Sequence, residues 1–439
     1  MPSKFYLDSR RGLLGESKVE LKDESFDLAV RPMHRHDRGK MTPAFLSLCL
    51  IGFGAHFGVA LIQIGFIGCV ILGFGSNPLA RVDRRLIALV FLFGVMALSH
   101  SLLGQEPLAG ADYLLRWRYL LLLPLVPVLL KPPEVHRLLG AFVVLTGISA
   151  LYGIAQVLFG SPGWLGFLHP EGTIEPLWRY VWSPDQNRWI RDGLKATGTI
   201  HNIAAFAHTT MLVMLWPLAK GLLSRDRVPP WQILAGLLAL AALSLSGARA
   251  AWLGFGAGTM ILILCRWQLK WLRATIFSLL LLIGGLGVGL LTHPGLQKAA
   301  GSLTGRASIW THCLQTAKDA GPYGLGYGTH AGYSERVYPQ TPGLEKTVRT
   351  WCHHLPLSLA VEAPLSLIPA ALLMILLVFM LTGSQTGALE GYALACIVAF
   401  WTIAQLHDPH FQREFFPIAM LMIGCGLINK EAPSGTDGR

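Results

Sequence analysis

The chain has 439 residues, of which 52% are apolar and only 14% carry a formal charge. A water-soluble domain carries about a quarter charged residues, so this composition excludes a soluble enzyme and indicates a polytopic membrane protein. The formal net charge of +11 raises nucleic acid as a partner, but the basic residues are scattered in short segments between apolar runs. Membrane orientation accounts for most of them, and no nucleic-acid partner is expected.

Residues 1–40 are polar and mixed in charge, and are expected to form a disordered cytoplasmic tail without a cleavable signal peptide. A transmembrane domain over residues 41–430 follows, and residues 431–439 form a second short tail. Within hydrocarbon every backbone polar group must be paired internally, and about 20 apolar residues span the bilayer as helix. On that basis the fold is all-α, with about twelve transmembrane helices. They begin near Pro43, Ala60, Leu86, Leu114, Leu138, Ile200, Trp231, Ala250, Ala274, Leu355, Leu389 and Phe415.

The loops between these spans differ in charge. Arg81, Arg84 and Arg85 occupy one short loop, and Lys131, His136 and Arg137 the next. Lys220, Arg225 and Arg227 follow, then Arg266, Lys270 and Arg273. The bias of short cytoplasmic loops toward Lys and Arg puts all four groups, and both termini, on the cytoplasmic side. Two longer loops, about residues 160–199 and 292–354, then face outside, the larger one holding short helices.

Those outer loops run against the charge bias. The first holds Arg179, Arg188, Arg191 and Lys195; the second holds Lys298, Arg306, Lys318, Arg336, Lys346 and Arg349. Long loops cross the membrane whatever their charge, which accounts for any single cation. Cations at helix mouths, namely Lys195, Arg249, Arg306 and Arg349, are harder to dismiss. A multiply charged anion would compensate them, as guanidinium forks do with phosphate.

Cys49, Cys69, Cys265, Cys396 and Cys425 fall in or beside apolar runs and read as small core residues. Cys313 and Cys352 lie in the larger outer loop, where an oxidising compartment allows pairing that spacing alone does not establish. Four motifs stand out in chain order. Lys195-Ala-Thr-Gly-Thr-Ile-His201-Asn202 leads into a span, and Ser246-Gly-Ala-Arg249-Ala-Ala-Trp252 interrupts two helices. Gly305-Arg306-Ala-Ser-Ile309-Trp310 opens an amphipathic helix whose apolar face is Ile309, Trp310, Cys313, Leu314 and Ala317, followed by Gly324-Leu-Gly326-Tyr-Gly328. Last comes His353-His354-Leu-Pro-Leu, with Glu362 nine residues after His353.

This ordered set resembles the O-antigen ligase and polymerase superfamily, and its length and single large outer loop are most similar to the O-antigen ligases of Gram-negative bacteria. The resemblance covers roughly residues 45–430. Three positions depart from the family pattern: His353-His354 stands where His-Asn is common, Ala363-Pro364 displaces a glycine after Glu362, and Lys195 replaces an arginine. Either histidine therefore fits the family position, the spacing to Glu362 favouring His353.

The resemblance implies an inner-membrane enzyme with both termini cytoplasmic and its site facing the periplasm. It would transfer O-antigen from undecaprenyl diphosphate to lipid A–core among membrane lipids. O-antigen polymerases and protein-glycosylating enzymes of the superfamily share this site logic, and a transporter of lipid-linked sugar is a competitor from another class. His353 is the candidate general base. Arg249, Arg306, Lys195, Arg191, Arg188 and Arg349 are the candidate substrate-binding cations, with His354 and Glu362 completing the set. An intramembrane acid such as Glu362 serves a function or pairs structurally. Arg116 and Arg118 either snorkel to headgroups or bind substrate. His407-Asp-Pro-His410 reads as an Asp-Pro turn rather than a metal site. Neither outer loop holds an Asp-x-Asp pair, so no metal and no other cofactor is expected. Fixed cations would stabilise the leaving diphosphate instead.

Overall fold

The computed structural model describes residues 41–75, 82–105, 114–159, 178–183, 188–194, 202–224, 227–267, 304–330, 352–382, 387–407 and 412–428, with isolated positions at 196, 199–200, 271–272, 275–276, 278 and 333. The expected terminal tails, 1–40 and 431–439, lie outside the described residues.

The chain opens with a helical hairpin, α1 (Pro43–Phe57) and α2 (Val59–Gly75). Thr42 starts it, its hydroxyl accepting the Phe45 amide at 3.2 Å, with Pro43 in the first turn where a missing N–H costs nothing. Asp83 caps α3 (Arg84–Leu103) in the same way, accepting the Arg85 amide at 2.8 Å. A 3₁₀ segment (Leu115–Leu121) then runs directly into α4 (Leu122–Leu129). A 3₁₀ turn rises more per residue than an α turn, so this composite reaches about 26 Å, close to the hydrocarbon thickness. The long helix α5 (Pro132–Phe159) follows, its start fixed by Glu134, which accepts the Lys131 amide at 2.9 Å.

The first expected outer loop contains a two-stranded antiparallel hairpin, β1 (Trp178–Ser183) with β2 (Arg188–Leu194), Trp182 opposite Trp189. Aromatic and β-branched residues at alternate positions favour strand there, an addition to an otherwise helical fold. Asn202 caps α6 (Ile203–Leu223), and α7 (Pro230–Ser246) and α8 (Arg249–Arg266) form the next pair. The amphipathic helix α9 is Thr304–Ala320. It is followed by the short α10 (Leu355–Glu362), α11 (Leu367–Leu381), α12 (Ala388–Ala404) and α13 (Phe415–Cys425).

The described helices start within a few residues of most expected points. Four are both long and apolar enough to cross a membrane: Arg84–Leu103, Pro132–Leu158, Ile203–Leu223 and Pro364–Leu381. Five shorter apolar helices accompany them among the described residues. Burial sorts these helices into layers. In Ile203–Leu223, 78% of the apolar window is buried, against 33% in Arg84–Leu103 and Pro364–Leu381. The helices α6, α12 and α13 thus form the centre, their small and apolar side chains almost wholly enclosed. The periphery shows outward stripes at helical spacing, such as Ile64, Ile67, Ile71 and Phe74 on α2, and Ile368, Leu372, Ile375 and Phe379 on α11. Such continuous apolar surface is stable against lipid and not against water.

Cross-links at the helix ends fall into two sets. At one face the Thr42 hydroxyl meets Glu134 at 3.2 Å, joining the starts of α1 and α5. Toward the opposite face Thr199 joins the end of α1, through His56, to Ser149 in the second half of α5, at 3.2 and 3.0 Å. There too the Gln105 amide, just past α3, donates to the Gly324 carbonyl at 3.4 Å. Thr199 and the Gly324 turn, from the described parts of the two expected outer loops, therefore pack on one face of the bundle.

Candidate active site

The core of the site is built by helix ends at this second face. The α7–α8 turn reverses at Gly247, which takes the left-handed conformation (φ 67°) that glycine adopts without penalty. Ser246 is fully buried and donates to the Leu243 carbonyl at 2.7 Å, closing α7, and Arg249 emerges exposed as the first residue of α8. The Ala196 amide donates to the Leu245 carbonyl at 3.4 Å, which ties the chain beside Lys195 to this turn.

Helices α8 and α12 pack through Gly254 and Gly258. A Cβ at Gly254 would lie 3.2 Å from the Ala399 carbonyl and 3.3 Å from Ile403, and one at Gly258 would lie 3.1 Å from the Ala395 carbonyl. Small residues four apart let two backbones approach this closely. The register is antiparallel, so the Arg249 end of α8 faces the end of α12 at which His407 follows Ile403.

His353 lies on the same face. It is half-buried and, at φ 51°, is the single non-glycine residue with positive φ among those described. A non-glycine residue there is uncommon and marks backbone held by its surroundings. Its ring stands edge-on to His407, centroids 6.0 Å apart, and His407 in turn meets His208 of α6 at 5.5 Å. His208 donates from Nδ1 to the Gln412 side-chain oxygen at 2.9 Å. His407, expected only to shape a turn, thus belongs to the site. Its proximity comes from tertiary packing of α12, which no local pattern displays.

His354 is placed differently. It is buried as the N-cap of α10, its Nδ1 accepting the Leu357 amide at 3.2 Å, with its ring on Trp310 at a centroid distance of 5.4 Å. Burial lowers its pKa to about 4, partly offset by the Gln405 side chain, so the imidazole is neutral at physiological pH.

Glu362 lies two turns into its helix, as expected, and those two turns are the whole of α10. Pro364 disfavours helix at the preceding residue, and Ala363 leaves the helical region (φ −156°, ψ 66°). The buried Glu362 sits beneath the Gly324–Gly328 turn, whose Leu325 and Gly326 amides donate to the Val361 and Glu362 carbonyls at 3.0 Å each. Gly324, at φ 71°, has no room for a side chain: a Cβ would lie 2.5 Å from the Glu362 carbonyl oxygen. Tyr327 is buried beside it, and burial first, then the Glu362 charge, push its phenol far above the usual range, so it stays protonated.

The apolar face expected for α9 is found: Ile309, Trp310, Cys313, Leu314 and Ala317 pack with Leu325, Leu357 and Val361. The Trp310 indole donates to the Cys352 carbonyl at 3.0 Å, and Cys313 and Cys352 are joined by a disulfide with Cα atoms 6.0 Å apart. The disulfide therefore holds the residue immediately before His353. His330 faces both sulfurs at 3.9 Å, and burial, then His312, lower its pKa to about 4. Cys313, His330 and Cys352 are also the one group among the described residues with metal-ligand types in reach of one another. With the sulfurs bonded to each other, that set offers no thiolate.

The remaining expected cations are less fully placed. Arg188 and Arg191 lie on β2 opposite Ser183 and Tyr180, and Arg306 in the first turn of α9; their side chains, like all of Lys195 and Arg349, lie outside the described residues.

A helical bundle with outward apolar stripes and four helices long and apolar enough to cross a bilayer is that of a membrane protein, and histidines and an arginine gather at one of its faces. Residues 234–363 match the family described as O-antigen ligase. That segment runs from α7 through Arg249, Arg306, His353 and His354 to one residue beyond Glu362, and over that stretch the match supports the O-antigen ligase superfamily. No curated protein matches the chain.

Proposed function

We propose that this protein transfers O-antigen from undecaprenyl diphosphate to lipid A–core at the periplasmic face of the bacterial inner membrane. The observation that carries this reading is His353, held with a half-buried ring at the mouth of α10, against His407, inside the segment that matches the family. In this reading the neutral His353 imidazole takes the proton of the acceptor hydroxyl as that oxygen bonds to the anomeric carbon. The bond from that carbon to the diphosphate oxygen breaks, and the lipid diphosphate leaves with the bonding pair. Direct displacement inverts the anomeric centre. Arg249, Arg306, Lys195, Arg191, Arg188 and Arg349 supply positive charge for the leaving group without a metal. About twelve spans, both termini cytoplasmic, complete the arrangement.

The test is a reconstituted transfer assay with a lipid-linked oligosaccharide and lipid A–core. His353→Ala is expected to lower turnover by about 10²–10⁴, the usual contribution of a general base, while full activity persists in excess EDTA. Near-normal transfer by that variant, a metal requirement, or retained stereochemistry overturns the mechanism. A deletion strain decides the acceptor: ligase loss leaves lipid A–core bare while polymerised lipid-linked antigen accumulates, whereas polymerase loss leaves core capped by a single repeat.

A further inference from the structure

Three imidazole rings stand in a row from the interior of the bundle to its outer face. His208 of α6 is fully buried, His407 follows α12 half-buried, and His353 enters α10. Their centroids are 5.5 and 6.0 Å apart, and both meetings are edge-to-face. A hydrogen bond of about 3 Å between two imidazole nitrogens sets the ring centres roughly 5 Å apart, so a small rotation closes either gap. Catalytic hydrogen bonds are often long before substrate arrives and tighten in the complex.

The inner end of the row is fixed. Gln412 leads into α13, its carbonyl accepting the Phe416 amide at 3.1 Å, and its side-chain oxygen accepts from His208 Nδ1 at 2.9 Å. An amide oxygen only accepts, so the His208 proton sits on Nδ1 and Nε2 is a bare acceptor. That Nε2 is buried and has no hydrogen-bond partner among the described residues, which is costly for a polar atom. Phe415 meets the same ring at 5.2 Å and has no donor to offer; His407 has one. His407 is itself set by a rigid element, its amide donating to the Ile403 carbonyl at 2.8 Å. A neutral imidazole that donates inward from one nitrogen accepts at the other, and the ring on the outer side is His353.

The backbone around His353 is held twice, by the disulfide at Cys352 and by the His354 cap. Neither anchor decides which nitrogen of the His353 ring carries the proton. The partner of the ring decides that. With its N–H received by His407, His353 presents the other nitrogen unprotonated, as a base requires, and the imidazolium formed on proton uptake keeps its partner. A positive charge is costly on a ring as enclosed as His208, so the row orients His353 and does not carry its proton inward.

We propose that His407, backed by His208 and Gln412, is the positioning residue that selects the tautomer of His353. The use of that tautomer as a base rests on the transfer function proposed above; the coupling of the rings does not.

The test uses the full chain in proteoliposomes with a lipid-linked oligosaccharide and lipid A–core. His407→Phe keeps a ring without nitrogens, and His407→Gln keeps both a donor and an acceptor. His407→Phe is expected to lower kcat by about tenfold to hundredfold with the donor KM unchanged, and His407→Gln to restore most of that loss. In a His353→Ala background His407→Phe should cost nothing further, because the ring it serves is gone. The tautomer is read without turnover from nitrogen NMR of protein labelled at histidine, the His353 signals being those absent in His353→Ala. One tautomer is expected in the wild type and a mixture in His407→Phe. If His407→Phe does not fold, Gln412→Leu, which removes the acceptor for His208, is expected to give the same mixture. Wild-type kcat in His407→Phe, equal loss in the Phe and Gln variants, the same loss in the His353→Ala background, or an unchanged tautomer overturns the proposal. The two readings fail separately. A tautomer that depends on His407 in a protein without transferase activity removes the function and leaves the row. Transfer that needs His353 but is indifferent to His407→Phe removes the row and leaves the function.

Discussion

His353 and His354 are adjacent in sequence and opposite in circumstance. His354 spends Nδ1 on capping α10, a task any short side-chain acceptor performs, whereas His353 keeps its ring at the outer face against His407. His354→Asn is therefore expected to retain transfer, and His354→Ala to lose about 1 kcal/mol of stability with the cap. Thermal unfolding and turnover measured together separate these outcomes from the loss of turnover expected for His353→Ala. Titration gives a second check. His330 and His354 accept a proton only near pH 4 in the folded chain, and near 6.5 when unfolded. Between those values the unfolded state binds more protons, so stability contributed at neutral pH is lost as pH falls from about 6.5 toward 4. The melting temperature should drop across that window, and drop less in His354→Asn. Sequence alone singled out the His-His pair and its distance to Glu362. The division of labour was not legible there, because it depends on which backbone amide each ring meets.

Among elements, α8 and α12 show how far a local pattern reaches. Apolar runs located the start of nearly every described helix, because twenty-residue hydrophobicity is a local property. What stayed hidden was contact: Gly254 and Gly258 read as two more glycines in a glycine-rich chain, yet they set the approach of α8 to α12. Gly258→Leu should overpack this crossing, since its Cβ would already lie 3.1 Å from the Ala395 carbonyl of α12 and 2.8 Å from Leu215 of α6, at a cost of about 1–3 kcal/mol. Transfer is expected to fall with it, because Arg249 would lose its place opposite the end of α12. Native yield and turnover in reconstituted vesicles check both. The 3₁₀ character of Leu115–Leu121 and the hairpin at Trp178–Leu194 were not legible, the first because 3₁₀ and α patterns overlap, the second because alternation over six or seven residues is a weak signal beside long apolar runs.

For the whole molecule, positive residues in short loops imply an orientation, and the described parts of the two expected outer loops lie with Arg249 and His407 at one face. Single cysteines placed at Arg137 and Arg413, in a background with all seven native cysteines replaced, should react with a membrane-impermeant maleimide in intact cells only at Arg413. Labelling at Arg137 instead would invert the proposed topology. Cys313 and Cys352 lie 39 residues apart and flank most of the larger loop. Replacing either by serine is expected to cost about 2–4 kcal/mol and to abolish the mobility difference between reduced and unreduced samples. In the proposed orientation their bond also keeps time. While the flanking spans are being inserted the thiols face a reducing compartment and stay apart, so the strand carrying His353 is unfastened. Only delivery of the complete segment to the oxidising side lets the clasp shut. The enzyme would then be armed by arrival, with no separate activating step.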